Sequence, residues 1–347
     1  MSHVRAGIFI HPSGRGKIEQ VYDDTLELIR VAEEEGLHTV WVSQLHFQTF
    51  RGRLSSPFPF LVRAADRTQH IQLATGVVTL PFENPLRLAE DASVTNVLLR
   101  GRLAFGVGSG EPVAGEFAPF GVPFEERHAR SGANLTTLVC ALRGEPLLPN
   151  GITLQPPAPN LPDRIWWASG DRDRSTWAAR EGVNLLLNLD PTRREIPTPQ
   201  ANAEAAQAYR NAWTAKRAPQ VGIWRIVYPA DTEAEALERY WQITEAEATE
   251  NLRRGLIGDV KTVSELRERH QQSQILIKGP TGQIIEQLRR EQEQIGFTDF
   301  LFYFTFTGLA LHEKIDLLRQ LAREIAGPLG WLKTSVVPGP ERILLPA

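Results

Sequence analysis

Short runs of β-branched and aromatic residues recur along the chain, and each is followed by a longer stretch with helical periodicity. We predict strands in eight such runs, at 4–10, 38–42, 71–80, 102–108, 164–169, 183–189, 221–229 and 299–306. The runs are apolar throughout rather than alternating, which is typical of parallel strands covered on both faces. Eight strand–helix units close naturally into a (β/α)8 TIM barrel, so the predicted fold class is α/β.

Capping residues support these helix assignments. Gly36 ends the first helical stretch in the manner of a C-cap, and Asn84 followed by Pro85 is typical of an N-cap and first turn. The alternative fold is an open doubly wound sheet with a dinucleotide-binding turn. Its G-x-G-x-x-G fingerprint fails here, because the glycines at 106, 108 and 110 are spaced G-x-G-x-G.

Two segments are too long for simple connections, so we predict insertions after strands 6 and 7. One is the proline-rich loop 190–199, and the other lies between Pro229 and Thr298. We expect a single barrel domain over residues 1–330, with a lid over the barrel mouth at about 245–280 and a C-terminal tail at 331–347. A surface excursion is the alternative to the lid.

Composition narrows the class of partner. The chain of 347 residues has a net charge of −3 and no basic cluster, so we expect no nucleic-acid partner. Its longest uncharged apolar run, at 300–311, is shorter than the roughly 20 residues that a membrane span needs. We therefore expect a cytoplasmic protein with no membrane partner.

The C-terminal ends of the barrel strands are where reactive groups are expected. These ends are His11, 43–46, 76–79, 108–111, 169–174 and Asn188. Only two histidines occur among them and neither stands in a cluster with carboxylates, so we expect no metal site. A G-x-S-x-G nucleophile elbow is also missing from the sequence.

The strand ends are rich in glycine and are followed by arginines, which suits an anionic, planar cofactor. Successive backbone N–H groups are available at Gly108, Ser109 and Gly110, and again at Ser169 and Gly170 before a predicted helix start. Positive charge is available from three arginines, namely Arg127, Arg172 and Arg174. The alternative for each arginine is a solvated position on a helix.

Several of these segments together resemble the luciferase-like flavin monooxygenases, in the branch described as FMN-dependent and luciferase-like. The segments are "GLHTVWVSQLHF", "TGVVTLPFENPLRLAED", "GRLAFGVGSG", "EFAPFGVPFEER" and "ASGDRDRSTWAAREG". The resemblance implies a TIM barrel with FMN at its mouth, often in a homodimer. It also implies that a separate NAD(P)H-dependent flavin reductase supplies reduced FMN, which reacts with O2 to oxidise a small apolar organic substrate.

The resemblance also suggests roles for single residues. The family commonly has two successive histidines after the second strand. The first is Leu45 here, and the second is kept as His46, which we expect to be catalytic. A satisfied core histidine is the alternative for His46. Ser43, which ends the same strand, would face the cofactor. Ser109 stands where the family's luciferases have an arginine for the flavin phosphate, which leaves that role to Arg127 or Arg174. A non-prolyl cis peptide beneath the flavin is implied at Gly76–Val77.

Two other functions stay open on the sequence. A deazaflavin-dependent dehydrogenase on the same barrel would transfer hydride without O2. A non-catalytic flavin-binding protein is the other, given Leu45 and Ser109. The helices after the second and third strands would form the dimer interface or pack on the barrel.

Overall fold

A computed structural model describes residues 3–14, 16–48, 52–110, 116–187, 198–253 and 260–333. These ranges contain nine strands and ten α-helices. The strands are β1 (Arg5–Ile10), β2 (Thr39–Val42), β3 (Gln72–Thr79), β4 (Leu103–Gly108), β5 (Ile165–Ala168), β6 (Asn184–Leu187), β7 (Val221–Pro229), β8 (Leu276–Gly279) and β9 (Asp299–Phe304). The helices are α1 (Ile18–Glu34), α2 (Pro57–Ala65), α3 (Pro85–Leu98), α4 (Arg127–Leu142), α5 (Arg172–Glu181), α6 (Thr198–Ala212), α7 (Glu233–Arg253), α8 (Val263–Gln271), α9 (Thr281–Ile295) and α10 (Leu311–Gln320).

Eight of the strands form a closed parallel barrel. They pair in the order β6-β5-β4-β3-β2-β1-β9-β7, and a further β6–β7 pairing closes the ring. All these pairings are parallel, so every strand points its C-terminal end toward the same rim. The (β/α)8 TIM barrel predicted from the sequence is therefore confirmed, and the open-sheet alternative is wrong.

The ninth strand was not predicted. Strand β7 pairs with β9 along its first half, from Gly222 to Arg225, and with β8 along its second half, from Ile226 to Pro229. Strand β8 therefore lies outside the ring, beside the end of β7. This stretch falls within the predicted insertion after strand 7, and a run of four residues between polar flanks gave too little pattern to indicate a strand.

The predicted insertion after the seventh strand consists of α7, α8, β8 and α9. Its first two helices share a small apolar cluster of Trp241, Ala248 and Leu266, separate from the barrel core. Residues 245–280 thus cover the end of α7, α8 and β8, with 254–259 outside the described residues. Most of the predicted insertion at 190–199 also falls outside the described residues, and α6 begins at Thr198.

Local signals place the helices as expected. The Asn84 side chain accepts hydrogen bonds from the backbone N–H groups of Leu86 and Arg87, at 3.0 and 3.1 Å, at the start of α3. Gly36 follows α1 with a φ of +80°, a conformation that glycine adopts without a Cβ penalty. The boundary that we predicted at residue 330 falls just before Trp331, whose buried indole packs against Phe297 and Phe300.

Large side chains fill the barrel interior. Trp41 and Trp166 meet edge to face, with ring centroids 5.6 Å apart, in a cluster of buried inward-facing residues. The space for Trp41 exists because Gly106 has no side chain. A Cβ there would lie 2.7 Å from Trp41 Cζ3 and would also collide with the carbonyl oxygen of Thr75.

A buried polar network ties the outer layer to β7. Arg225 is 2% exposed and points away from the barrel interior, where its Nε donates to Glu291 of α9 at 2.9 Å. Its Nη2 donates to Asn202 of α6 at 3.1 Å, and its Nη1 donates to the Trp224 carbonyl at 2.9 Å. Because Arg225 and Glu291 are both buried, loss of either charge would leave the other uncompensated in the core.

The Gly106→Ala substitution should destabilise the protein by about 1–3 kcal/mol, since the added methyl overfills the barrel interior. The matched control is Gly132→Ala in α4, where the new Cβ lies 3.9 Å from its nearest neighbour beyond the helix backbone, Trp177. That change should be neutral or stabilise by about 0.5–1 kcal/mol, as expected for alanine in a helix. Urea unfolding measures both, and equal midpoints for the two variants would contradict this packing argument.

Candidate functional site

A cavity of about 530 Å³ opens at the C-terminal rim of the barrel. This volume lies in the range of about 300–1,000 Å³ that is usual for sites binding drug-sized ligands. The residues that line it come from the strand ends and from the loops after β2, β3, β4 and β5: Phe9, His11, Ser43, Gln44, Leu45, His46, Gly76, Val77, Thr79, Phe82, Gly108, Ser109, Gly110, Glu116, Phe117, Arg127, His128, Trp167, Ala168, Ser169, Gly170, Asp171, Arg174, Leu186, Trp224 and Tyr303.

The structure brings all eleven predicted site residues to this one cavity. They are Ser43, His46, Gly76, Val77, Gly108, Ser109, Gly110, Arg127, Ser169, Gly170 and Arg174. Their lining of the same cavity is a finding, whereas the role of each one stays a prediction. Arg172, the third arginine considered in the sequence, does not line it.

The floor of the cavity is the top of the barrel interior. Phe9 of β1 stacks on Tyr303 of β9, with centroids 5.4 Å apart, and Tyr303 packs on Trp224 of β7 at 4.7 Å. The Gly76–Val77 peptide is cis, as the resemblance predicted. A Cβ on Gly76 would lie 2.6 Å from Phe9 Cε2, so the floor needs glycine at this position.

The floor aromatics were missed in the sequence. Phe9 and Tyr303 are paired in register across β1 and β9. That register could have identified them, because partners in neighbouring strands face the same side of the sheet. Trp167 also lines the cavity, whereas Phe302, Phe304 and Phe306 belong to the larger core cluster.

Gln44, also missed, joins the loop after β2 to the end of β3 and the loop that follows it. Its Oε1 accepts from the backbone N–H of Thr79 at 2.8 Å, and its Nε2 donates to the Ser55 carbonyl at 3.1 Å. The same Nε2 lies 3.4 Å from an oxygen of Glu83. Burial raises the pKa of the Glu83 carboxyl, and the hydrogen bond from Gln44 partly offsets this.

Four buried polar atoms on the cavity wall have no hydrogen-bond partner among the described residues. They are Ser43 Oγ, His46 Nε2, His128 Nδ1 and Trp167 Nε1. Buried polar groups in native proteins are almost always paired, because an unmade hydrogen bond costs about 1–3 kcal/mol. Four such atoms around one cavity indicate that a polar ligand or ordered water completes the site.

One end of the cavity is cationic. The Arg127 guanidinium stacks over the Phe124 ring at 3.8 Å and donates to the Phe124 carbonyl at 3.0 Å. Burial, together with the positive charge of Arg174, lowers the pKa of Arg127. Burial and the two arginines lower the pKa of His128 to about 4, with Asp171 acting in the opposite direction. At neutral pH this end therefore holds two positive guanidinium groups and a neutral imidazole.

The N-terminus of α5 is partly satisfied from within the protein. Asp171 caps the helix by accepting from the backbone N–H of Arg174 at 2.8 Å, and the Asp171 N–H donates to Ser169 Oγ at 3.1 Å. The Ser169 N–H, which was predicted to be available to a ligand, is also already bonded, to the Leu186 carbonyl at 3.0 Å. Gly170 and the side chain of Arg174 also line the cavity, and neither takes part in these capping hydrogen bonds.

His46 lies among aromatic rings. Its imidazole contacts Phe120 and Phe82 edge to face, with centroids at 4.8 and 5.5 Å. Burial lowers the pKa of His46, so the ring is neutral at pH 7. A neutral imidazole carries one donor and one acceptor, and either can serve a ligand at Nε2.

Described residues of 245–280 do not line the cavity. Helix α7 instead packs on the loop after β9, where Thr307 donates to Glu247 at 3.0 Å and Gly308 lies against the Ile243 carbonyl. The lid role stays a prediction. Within the described ranges, no three histidine, cysteine or carboxylate side chains are grouped to bind a metal, and no helix is long and apolar enough to cross a membrane.

Comparison with known proteins gives the family. Residues 4–299 match the luciferase-like monooxygenase family model. The oxygenase component of a flavin-dependent trigonelline monooxygenase from Acinetobacter baylyi is 25% identical over 93% of this chain and 94% of its own length. An F420-dependent glucose-6-phosphate dehydrogenase from Rhodococcus hoagii is 30% identical over 63% of this chain and 68% of its own.

The fold comparison agrees. The crystal structure of the monooxygenase RslO1 from Streptomyces bottropensis superposes with a TM-score of 0.76 and 21% identity, covering 94% of this chain and 99% of that one. This similarity concerns the fold, whereas the family match covers most of the chain and extends across the loops that build the cavity. The chain is therefore an oxidoreductase that belongs to the luciferase-like monooxygenase family.

Proposed function

We propose that this chain is the oxygenase of a flavin-dependent system, which receives reduced FMN from a separate NAD(P)H-dependent reductase. It uses O2 to oxidise a small apolar organic molecule. The observation that carries the proposal is the cavity itself, with four unpaired buried polar atoms on its wall and two arginines at one end. The relative that aligns along almost the whole of both chains is named as an oxygenase component and as flavin-dependent.

The residues present fit the proposed cofactor. Arg127 and Arg174 would hold the phosphate as charge-assisted donors, with Ser109, Ser169 and Gly170 beside them. The aromatic floor offers a flat apolar surface for a ring system. Ser43 Oγ and Trp167 Nε1 would meet polar edges of the cofactor, and His46 would contact the substrate.

Bound reduced flavin supplies the electrons that activate O2, so that one oxygen atom enters the substrate and the other leaves as water. The protein's own residues bind, orient and exclude water. Phe9, Trp224 and Tyr303 close the barrel side of the cavity to solvent. The neutral His46 imidazole can donate or accept a proton at Nε2, which is the catalytic role that we assign to it.

The reaction class is tested by mixing the protein anaerobically with reduced FMN and then adding 18O2 and apolar organic compounds. The expected result is an organic product that carries one labelled oxygen. The second candidate, a deazaflavin-dependent dehydrogenase, is favoured by the F420-dependent relative. Oxidised F420 would then be reduced by an alcohol without O2, and this outcome would replace the monooxygenase proposal.

Arg127→Gln and Arg174→Gln should each weaken FMN binding by about one to two decades. A hydrogen bond to a charged group contributes about 1.5–3 kcal/mol. Riboflavin lacks the phosphate, so its affinity should not change in either variant. The matched control is Arg180→Gln at the end of the same helix, α5. Titration followed by flavin fluorescence measures all affinities, and equal losses for FMN and riboflavin would refute a phosphate role.

His128 should titrate with a pKa of about 4 in the free protein, below its ordinary value of 6.5. Because the unfolded chain takes up the proton first on acidification, the stability from neutral His128 is complete above pH 6.5 and is lost toward pH 4. His128→Gln should flatten this part of the urea-unfolding profile. FMN, but not riboflavin, should raise the His128 pKa measured by NMR, and no shift would place the phosphate elsewhere.

We also propose a homodimer through the outer face of α3. Val94, Val97 and Leu98 recur there at helical spacing and are exposed, as is Leu86 two turns earlier. Val97→Glu should convert the dimer to a monomer in sedimentation experiments, because a charge would be buried in an apolar contact. The matched control is Ile152→Glu, at an exposed apolar residue in the segment between α4 and β5, which should leave the dimer intact. A wild-type monomer would overturn the proposal.

A further inference from the structure

Five rings from three successive loops form one continuous surface, which we name the aromatic wall. It consists of His46 and Phe47 after β2, Phe82 after β3, and Phe117 and Phe120 after β4. Phe82 stacks on Phe120 at 4.2 Å with an interplanar angle of 10°, and meets Phe117 edge to face at 4.8 Å. His46, Phe82 and Phe117 line the cavity, and Phe120 and Phe47 continue the surface outward.

The outer end of the wall is exposed in a way that folding alone does not explain. Phe47 is 60% exposed and Phe120 is 36% exposed, and they are the two exposed large aromatic side chains among the described residues. Phe47 also has a φ of +57°, which a bulky residue adopts at a cost of roughly 1–3 kcal/mol. An exposed apolar surface beside a cavity indicates a ligand-binding surface.

The charges around the cavity are unevenly placed. Arg127, Arg174 and Asp171 act on one another and on His128 at the cationic end. Glu116, next to Phe117 of the wall, lines the cavity and accepts from the Gln48 amide at 2.8 Å. The four phenylalanines of the wall carry no charge and its His46 is neutral, so the arginines that an anionic ligand could pair with are those of the cationic end, among the described residues that line the cavity. The buried, unpartnered Nε2 of His46 is the polar group that the wall itself presents.

We infer that the aromatic wall is the substrate subsite and that it selects an uncharged aromatic ring carrying a hydroxyl group, with the hydroxyl hydrogen-bonded to His46 Nε2. This inference rests on the proposed function, because it assigns the wall to the substrate of that reaction. The ring would pack on the edge and face of Phe82 and Phe120, geometries that aromatic pairs prefer. The specificity-determining residues are then Phe82, Phe120 and His46.

The test compares two ligands of the same size, 4-methylphenol and 4-methylcyclohexanol, by calorimetric titration of the full chain loaded with oxidised FMN. The phenol should bind about threefold to tenfold more tightly, the gain expected from one to two favourable ring contacts. Phe120→Leu should remove most of this preference and leave the affinity for the saturated alcohol unchanged. The matched control is Ile152→Ala, an exposed apolar residue on another loop, which should alter neither affinity.

Two further ligands test the hydroxyl and the charge. Toluene should bind more weakly than 4-methylphenol in the wild type, and His46→Phe should remove that difference. 4-Hydroxybenzoate should bind more weakly than 4-methylphenol. Equal affinities for the aromatic and saturated ligands, or tighter binding of the carboxylate or of a cationic ring such as N-methylpyridinium, would overturn the inference.

The two proposals fail in different ways. Product formation from reduced FMN and O2 without ring preference would refute the aromatic wall as a selective subsite and retain the monooxygenase. Ring preference that depends on Phe120, in a protein that forms no labelled product from reduced FMN and O2, would refute the monooxygenase and retain the subsite.

Discussion

Closure of the barrel is the constraint from which the rest of the structure follows. The β6–β7 pairing joins the ends of an eight-stranded parallel sheet, and the interior is then filled by side chains such as Trp41 and Trp166. Because all strands are parallel, closure gathers every strand end at one rim. Residues as distant in sequence as Phe9 and Tyr303 thereby become the floor of one cavity.

The cavity combines two environments that differ in charge. At one end, burial keeps the imidazole of His128 neutral, and the positive charges of Arg174 and Arg127 add to this effect. At the other, stacked rings surround His46, whose imidazole is neutral because it is buried rather than because of nearby charge. The two histidines thus share a protonation state and its main cause, burial, and nearby positive charge contributes at His128. A ligand that spans the cavity would place its anionic part at the first end and its apolar part at the second.

The sequence predicted the barrel and which residues would gather at its rim, because both depend on local patterns. Apolar runs followed by helical periodicity identified the eight barrel strands, and parallel strand ends must share a rim. Strand β8 was missed because it has only four residues and polar residues flank it in the sequence. It pairs with the second half of β7, outside the ring. The aromatic wall was missed because Phe47, Phe82 and Phe120 come from separate loops, whose approach depends on contacts between loops rather than on any local pattern.

The division of β7 between two partners separates the insertion from the barrel. Hydrogen bonds from Gly222 to Arg225 belong to the ring, and those from Ile226 to Pro229 belong to β8. The α7–α8 pair has an apolar cluster of its own, while Tyr240 of α7 also belongs to the main core. Loss of β8 would therefore leave the second half of β7 unpaired without removing a hydrogen bond from the ring, so a change of length at this point need not open the barrel.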